Sequence, residues 1–467
     1  MDSSHEFDLC VLGAGSAGFA AANTARSMGK SVAFADGTGP LAGLCILRGC
    51  MPSKTLLRSA EIAHLARTAP SLGVHTGNVQ ADVREIVSRK NRIIRGFADE
   101  RILGINQFPL FAGEPRFTSE DTIVAGGQTI RAGRFVVSTG SVIEVPPLPG
   151  LRETGYLTSD EVLDLEALPE SVIVLGAGAV GVELVQYLSR VGVHVTIVQR
   201  SATLLSGEDH DVGICLRESF EREGILVRTG TKIVRLERSA GLKRVVFDAD
   251  GVEESIEAKE IFVALGRRPN VEGFGFDAAR IEYDRQGVKV DRFLRTTNPR
   301  VFAAGDVTGP YELVHVAVYA GQLAARNAFS QTQRPIDYDL VASRAVFTDP
   351  QVAVAGLTER QCVERDIPYA KASFPFDDLG KAITANLTAG FIKMVVALDG
   401  RILGVTIVGA EAADLIHEAI ALIYFKAKCH DVMEMPHLHP TLAEIITYPA
   451  EELCERIEHQ HHAVVTP

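Results

Sequence analysis

Phe7-Asp8-Leu9-Cys10-Val11-Leu12-Gly13-Ala14-Gly15-Ser16-Ala17-Gly18 reads as an apolar strand, a glycine-rich turn and the first turn of a helix. In this pattern the first glycine permits the tight turn, the second lets a pyrophosphate approach the backbone, and the third lets helix and strand pack closely. The helix start then turns its free N–H groups towards the phosphates. A single match is weak evidence, but the chain repeats it: Ser171-Val172-Ile173-Val174-Leu175 runs into Gly176-Ala177-Gly178-Ala179-Val180-Gly181. Each copy is followed about 20 residues on by a second apolar strand, so two dinucleotide-binding units are predicted.

The ends of those second strands separate the two ligands. Ser31-Val32-Ala33-Phe34-Ala35 stops at Asp36, a carboxylate placed to accept hydrogen bonds from an adenosine ribose, as in FAD or NAD sites. His194-Val195-Thr196-Ile197-Val198 stops at Gln199-Arg200, where a guanidinium stands and a carboxylate is missing. That cation would pair with a ribose 2′-phosphate, which leans the second unit towards NADP. The alternatives are an Arg200 solvated at the strand end, and a Gln199 bonded to a free 2′-hydroxyl.

Two more short strands end in small residues: Arg134 to Ser141, through Thr139-Gly140, and Val301 to Asp306, whose carboxylate is placed to bond a polyol chain. Val145-Pro146-Pro147-Leu148-Pro149-Gly150 is stiff and marks a junction. Ile261 to Asn270, through Gly266-Arg267, closes the second unit. The predicted fold is α/β: one dinucleotide-binding domain from residues 1–150 and 272–340, a second inserted as 151–271, and an α+β domain from 341–467. In the last, alternating strands around Phe391–Val396 and Arg401–Val408 point to an antiparallel sheet, and Ala412 to Lys426 has apolar residues at helical intervals.

Between the first unit's second strand and the rest of its domain stand Cys45 and Cys50, separated by Ile46-Leu47-Arg48-Gly49 and followed by Met51-Pro52-Ser53-Lys54. Thiol–disulfide chemistry needs two sulfurs within bonding reach and one of them held as thiolate, which a helix N-terminus or a nearby cation favours. Pro52 suits a first helical turn, so the helix would aim its positive end at Cys50. The spacing therefore reads as a redox dithiol. A buried structural pair is the bland alternative, and a four-sulfur zinc site is disfavoured because no second close cysteine pair exists. Cys10, Cys215, Cys362, Cys429 and Cys454 read as small buried hydrophobes.

Composition bounds the rest. The 467 residues, 46% hydrophobic, exceed one core and point to about three domains. A net charge of -12 argues against non-specific nucleic-acid binding. No run of apolar residues is long enough to span a bilayer and Met1 to Glu6 is polar, so a cytoplasmic protein without membrane partners is expected. His459-Gln460-His461-His462 reads as a mobile polar terminus, and no metal site is assigned.

Taken together, these motifs resemble the FAD-containing pyridine nucleotide-disulfide oxidoreductases, the family of dihydrolipoamide dehydrogenase, glutathione reductase and mercuric reductase. The resemblance runs through Ala304-Gly305-Asp306 to the C-terminal His437-Leu438-His439-Pro440-Thr441-Leu442-Ala443-Glu444 and covers essentially the whole chain. It implies FAD held by Gly13, Gly15, Gly18, Asp36, Gly43, Lys54, Gly113, Thr139, Gly140, Asp306 and Ala317. It implies NAD(P) held by Gly176, Gly178, Gly181, Glu183, Gln199, Arg200 and Gly266. Cys50 would be the flavin-facing thiol, Cys45 the interchange thiol, and Lys54 with Glu183 an ion pair beside the flavin. His439, oriented by Glu444, would shuttle the proton and would come from the second subunit of a homodimer.

The substrate signals conflict. Glutathione reductases carry an arginine in the first helix and another in the helix after the Gly-Asp strand, where this chain has Asn23 and Gln322. Mercuric reductases resemble the Gln199-Arg200-Ser201 region but add a vicinal C-terminal cysteine pair, and many add an N-terminal metal-binding domain; the 467 residues here contain neither. Leu313-Val314-His315 matches a histidine of dihydrolipoamide dehydrogenases, although those usually have Glu where Gln199 stands. Leu47 and Arg48 also depart from the family's usual Asn and small apolar residue. The reading favours a lipoyl-type substrate. The alternatives are an NADPH-dependent reductase of another small disulfide or a metal ion, a cysteine-independent quinone or oxidant reductase, and a redox-sensing binding protein.

Overall fold

The computed structural model describes residues 5–37 and 39–465, with side chains to residue 459; His461 and His462 lie outside the described side chains. Its contacts group into two compact units, Met1–Leu56 with Arg84–Val145 and Gly266–Asp337, and Leu57–Val83 with Pro146–Leu265 and Tyr338–Pro467. The architecture is α/β, with two Rossmann-like dinucleotide-binding folds, the second inserted in the first, followed by an α+β region.

In the first unit the strands Leu110–Ala112, Val32–Asp36, His5–Leu12 and Gln128–Val137 lie side by side in that order and parallel. Gln128–Val137 is long enough to serve two further partners besides His5–Leu12. Its first half pairs antiparallel with Thr122–Ala125, and its last three residues pair parallel with Val301–Ala303. The central strands are buried on both faces, which explains their unbroken apolar runs. Leu9, Val11 and Phe34 pack into one layer with the helix alanines, while Cys10, Leu12, Ala33 and Ala35 pack into the other with Phe117 and Phe276.

Helix Ser16–Ser27 crosses helix Val314–Phe329 very closely. A Cβ on Gly321 would fall 2.1 Å from the Ala17 carbonyl oxygen, so only glycine permits this approach. Small residues at Ala17, Ala21, Ala25, Ala317, Ala320 and Ala324 continue the seam.

The second unit holds the inserted parallel sheet, in the order Leu226–Arg228, His194–Val198, Ser171–Leu175, Glu260–Val263, and an antiparallel meander over Thr231–Ala258. It also holds an antiparallel sheet whose strands run Arg344–Val346, Gln351–Gly356, Ile402–Gly409, Phe391–Ala397, Tyr369–Pro375. Helices Ala412–Tyr424 and Thr447–Val465 share its apolar core. The expected helix to Lys426 ends at Tyr424, and Lys426 takes φ 58° as the chain turns.

Buried charge ties this unit together. Lys393, 1–2% exposed, bonds Asp209 at 2.8 Å and Asp211 at 2.7 Å, and the backbone N–H groups of Glu359 and Arg360 donate to Asp209. On helix Ala179–Arg190, the side chains of Glu183, Gln186 and Arg190 recur on one face and bond Phe347 to Asp349. His64, Glu223 and Asp349 bring three metal-type donor atoms within 4.8 Å of one another. The Arg190 guanidinium already bonds both carboxylates there, at 2.6 and 2.7 Å.

Candidate active site

The same turn is built twice, down to its hydrogen bonds. Gly13 has φ 94° and Gly176 φ 101°, and a Cβ at either would collide with a backbone carbonyl, Ser138 at 2.5 Å or Ala264 at 2.4 Å. Gly18 and Gly181 press on the carbonyls of Gly13 and Gly176. Gly15 and Gly178 face open space instead, the nearest neighbour of a Cβ on Gly15 being the Gly43 Cα at 4.0 Å. The backbone N–H groups at each helix start are therefore left room for a phosphate.

Asp36 does more than wait for a ribose: its Oδ2 accepts from the Ala14 N–H and its Oδ1 from the Gly37 N–H, both at 2.7 Å. In the second unit the Gln199 Oε1 accepts from the Ala177 N–H at 3.1 Å, the equivalent bond. Gln199 thus replaces a carboxylate as the clamp of its turn, while Arg200 beside it is exposed.

Around the first turn the remaining predicted residues converge from other loops. Gly43, at φ 82°, passes so close that its Cβ would lie 2.8 Å from the Gly15 Cα. Gly113, at φ 138°, donates its N–H to the Asp36 carbonyl. Thr139 donates its hydroxyl to the Asn270 carbonyl, and Gly140 follows with φ 72° and no atom near its Cβ position. Asp306 accepts from the Ser141 hydroxyl at 2.7 Å, and Ala317 is buried in the first turn of helix Val314–Phe329. Gly266 has φ 110° and likewise faces open space. The open space at Gly15 and Gly140 beside the first turn, and at Gly178 in the second, fits close approach of a dinucleotide to the backbone.

Cys45 lies in the single helical turn Leu44–Leu47, and Cys50 begins helix Cys50–Thr68. A Cβ on Gly49 would lie 3.1 Å from the Leu44 carbonyl oxygen and Cys45 Cα, so here glycine serves close approach rather than a left-handed turn. Both cysteines are thiols. A hydrogen bond with Cys50, and then burial, hold the Cys45 thiol far above the usual range, with Lys54 acting weakly the other way. Both effects work against the Cys45 thiolate. Arg48 points to the surface.

Sequence reasoning missed Arg101. Ile94 and Ala98 of helix Val83–Ile105 pack on Ala42 and Ile46, either side of Cys45. One turn later on that face comes Arg101, its guanidinium 4.5 Å from the centre of the Phe19 ring and its inner Nη1 buried without a hydrogen-bond partner. Burial pulls this guanidinium below its ordinary value, and attraction to Cys45 opposes the fall. The signal was present in the sequence as a cation continuing the i, i+4, i+7 face of an amphipathic helix.

His439 and Glu444 sit in the second unit. The His439 Nδ1 bonds the Glu444 Oε2 at 2.9 Å; the carboxylate is 9% exposed, while the imidazole side chain is 77% exposed in the single chain. His437 is fixed differently, between Glu418 and the Met435 carbonyl. Large apolar side chains nearby in sequence are bare, Leu438 at 80% and Phe425 at 78%. Glu183 accepts the Phe347 N–H at 3.0 Å, and Lys54 stands in the first turns of the cysteine helix.

Among the described residues no helix is long and apolar enough to cross a membrane. A mercuric reductase of Bacillus cereus is 34% identical over 448 residues, which cover 95% of this chain and 71% of that protein. A dihydrolipoyl dehydrogenase of Thermus scotoductus is 32% identical over 461 residues, 97% of this chain and 98% of that one. The fold matches that of the HOCl-induced flavoprotein disulfide reductase RclA from Escherichia coli, with a TM-score of 0.84 at 22% identity over 95% of this chain and 99% of that one. Residues 342–450 match the family's dimerisation domain, which supports a homodimer. Residues 7–321 match the model described as pyridine nucleotide-disulphide oxidoreductase; the chain belongs to that family of FAD- and NAD(P)H-dependent oxidoreductase enzymes.

Proposed function

We propose that the protein exchanges electrons between NAD(P)H and a lipoyl-type disulfide or dithiol through the Cys45–Cys50 pair. In this reading residues 1–150 and 272–340 bind FAD, 151–271 bind NAD(P)H, and 341–467 join two subunits so that each active site takes His439 and Glu444 from the second copy. Bound FAD supplies two-electron transfer between nicotinamide and disulfide. The chain does the rest. The glycine turns seat the phosphates, the helix beginning at Cys50 favours negative charge on that sulfur, and Arg101 places a cation beside Cys45.

The carrying observation is the 2.9 Å bond between His439 and Glu444. With Nδ1–H given to the carboxylate, Nε2 is the base that takes the proton from a substrate thiol or from Cys45. The hydrogen bond with Cys50 and burial disfavour the Cys45 thiolate, which a neighbouring base would offset. Asn23, which would have to hold a carboxylate of a small dianionic disulfide, is bonded to the Phe19 carbonyl and to Arg26 instead. This favours an uncharged lipoyl ring. The exposed Arg200 supports NADPH over NADH as the coenzyme.

A panel of lipoamide, glutathione disulfide and mercuric ion, run with each coenzyme, tests the reading. Lipoamide turnover that vanishes in Cys45→Ser is the expected result. A second reading, metal-ion reduction, draws on the relatives named mercuric reductase. Mercuric turnover at full rate in His439→Ala, with no lipoamide turnover by the parent, would replace the first reading with the second.

A further inference from the structure

Cys429 and Cys454, which the sequence reads as inert hydrophobes, stand with their sulfurs 3.3 Å apart. Cys429 opens the short helix Cys429–Glu434, and Cys454 lies on helix Thr447–Val465. The chain between these two helices carries His437, His439 and Glu444. The thiol pair thus sits at the base of the segment that presents the candidate base. Val432, Leu453 and Ile457 pack around it in the same apolar cluster, and Gly400 leaves room for the Cys429 sulfur, 3.4 Å from its Cβ position.

We propose that Cys429 and Cys454 form a second dithiol site, oxidised to a disulfide by exchange with a low-molecular-weight disulfide, which locks the His439 segment and slows thiol chemistry at the active site. The functional half of this inference rests on His439 being the base. Cys454, the more exposed of the two, attacks the external disulfide, forming a mixed disulfide and releasing one thiolate. Cys429 then attacks the mixed disulfide, closing the Cys429–Cys454 bond and releasing the second thiolate. Both protein thiol protons pass to the released thiolates. Two electrons pass from the pair to the oxidant.

Burial, then the Cys429 hydrogen bond, push the Cys454 thiol up to about 12, so its attack on the oxidant is slow and calls for excess oxidant or long exposure. Closure replaces a non-bonded contact by a covalent one and draws the two helices together. Displacement of a catalytic group by about 1 Å can slow a step by about 100-fold.

The experiment treats the holoenzyme with excess glutathione disulfide, alkylates the remaining thiols under denaturing conditions and maps the peptides. A Cys429–Cys454 linked peptide, absent from Cys454→Ser and from Cys429→Ala and reversed by dithiothreitol, is the expected result. The oxidised enzyme should lose lipoamide turnover by about tenfold or more, while flavin bleaching by NADPH in a stopped-flow cell keeps its rate. Full alkylation of both cysteines after the treatment overturns the site. A linked peptide with unchanged lipoamide turnover overturns the lock. If the parent turns over no disulfide at all, the peptide map still decides the site, and it is the proposed function that has failed.

Discussion

Replacing Glu444 by Gln removes one charge and almost no volume from a side chain that is 9% exposed and bonded at 2.9 Å to the His439 Nδ1. A hydrogen bond to a charged group contributes about 1.5–3 kcal/mol. At about 1.4 kcal/mol per decade, loss of that orientation slows any step that uses Nε2 as base by about 10- to 100-fold. The Gln amide also offers N–H donors to Nδ1, which favours the tautomer with the proton on Nε2, where the base is needed. Steady-state lipoamide reduction should therefore fall in kcat by that factor. The initial hydride transfer from NADPH to flavin, followed by stopped-flow absorbance, should not change, because it precedes reduction of the disulfide and moves no thiol proton. Thermal unfolding of the variant separates misfolding from lost chemistry. The reasoning is refuted if lipoamide turnover is unaffected, or if flavin reduction falls by the same factor.

Four further outcomes are expected. Co-expressed Cys45→Ser and His439→Ala chains, each inactive alone, should regain lipoamide turnover in mixed dimers if sites are shared, since one of the two sites then holds both intact groups; no recovery would place both groups in one chain. Arg200→Gln should raise KM for NADPH about tenfold, the worth of a charge-assisted bond, and leave KM for NADH unchanged; equal changes would remove the 2′-phosphate assignment. Arg101→Met should slow iodoacetamide alkylation of Cys45 in the reduced enzyme about threefold or more at neutral pH, by withdrawing the cation beside that sulfur; an unchanged pH profile of alkylation would refute it. Lys393→Met should cost about 3–5 kcal/mol in urea unfolding, because Asp209 is left buried without its cation. Burial alone would raise the Asp209 carboxyl, but the Lys393 ammonium brings it below its ordinary 3.8. In the parent that stability is present above pH 3.8 and is lost as pH falls through the lowered value; the Lys393 ammonium, raised above its ordinary 10.5 by the same partners against the pull of burial, loses its share as pH rises past 10.5. A variant whose acid-side loss of stability matches the parent's would contradict this account.

Local sequence carried the fold because each decisive element is short and self-contained. A strand, a glycine turn and a helix start occupy about a dozen residues, and the carbonyls that forbid a Cβ at Gly18 and Gly181 are those of Gly13 and Gly176 in the same turns. Duplication then made the architecture legible. What the sequence hid are contacts whose partners lie far apart along the chain. Arg101 reaches Phe19 and the cysteine loop from a helix that begins more than 30 residues later, and nothing near Cys45 in sequence announces it. Cys429 and Cys454 lie 25 residues apart on two helices whose crossing no periodicity reveals. Gln199 shows a subtler limit. Read alone, it is a missing ribose acceptor; in the fold its amide oxygen makes the bond to the Ala177 N–H that Asp36 makes to Ala14. The position therefore answers to two demands, clamping the turn and meeting the ribose, and only the first leaves a trace in the protein alone. A substitution that satisfies the clamp while changing the charge can alter coenzyme choice without disturbing the fold, which is why substrate and coenzyme were the parts of the sequence that gave conflicting signals.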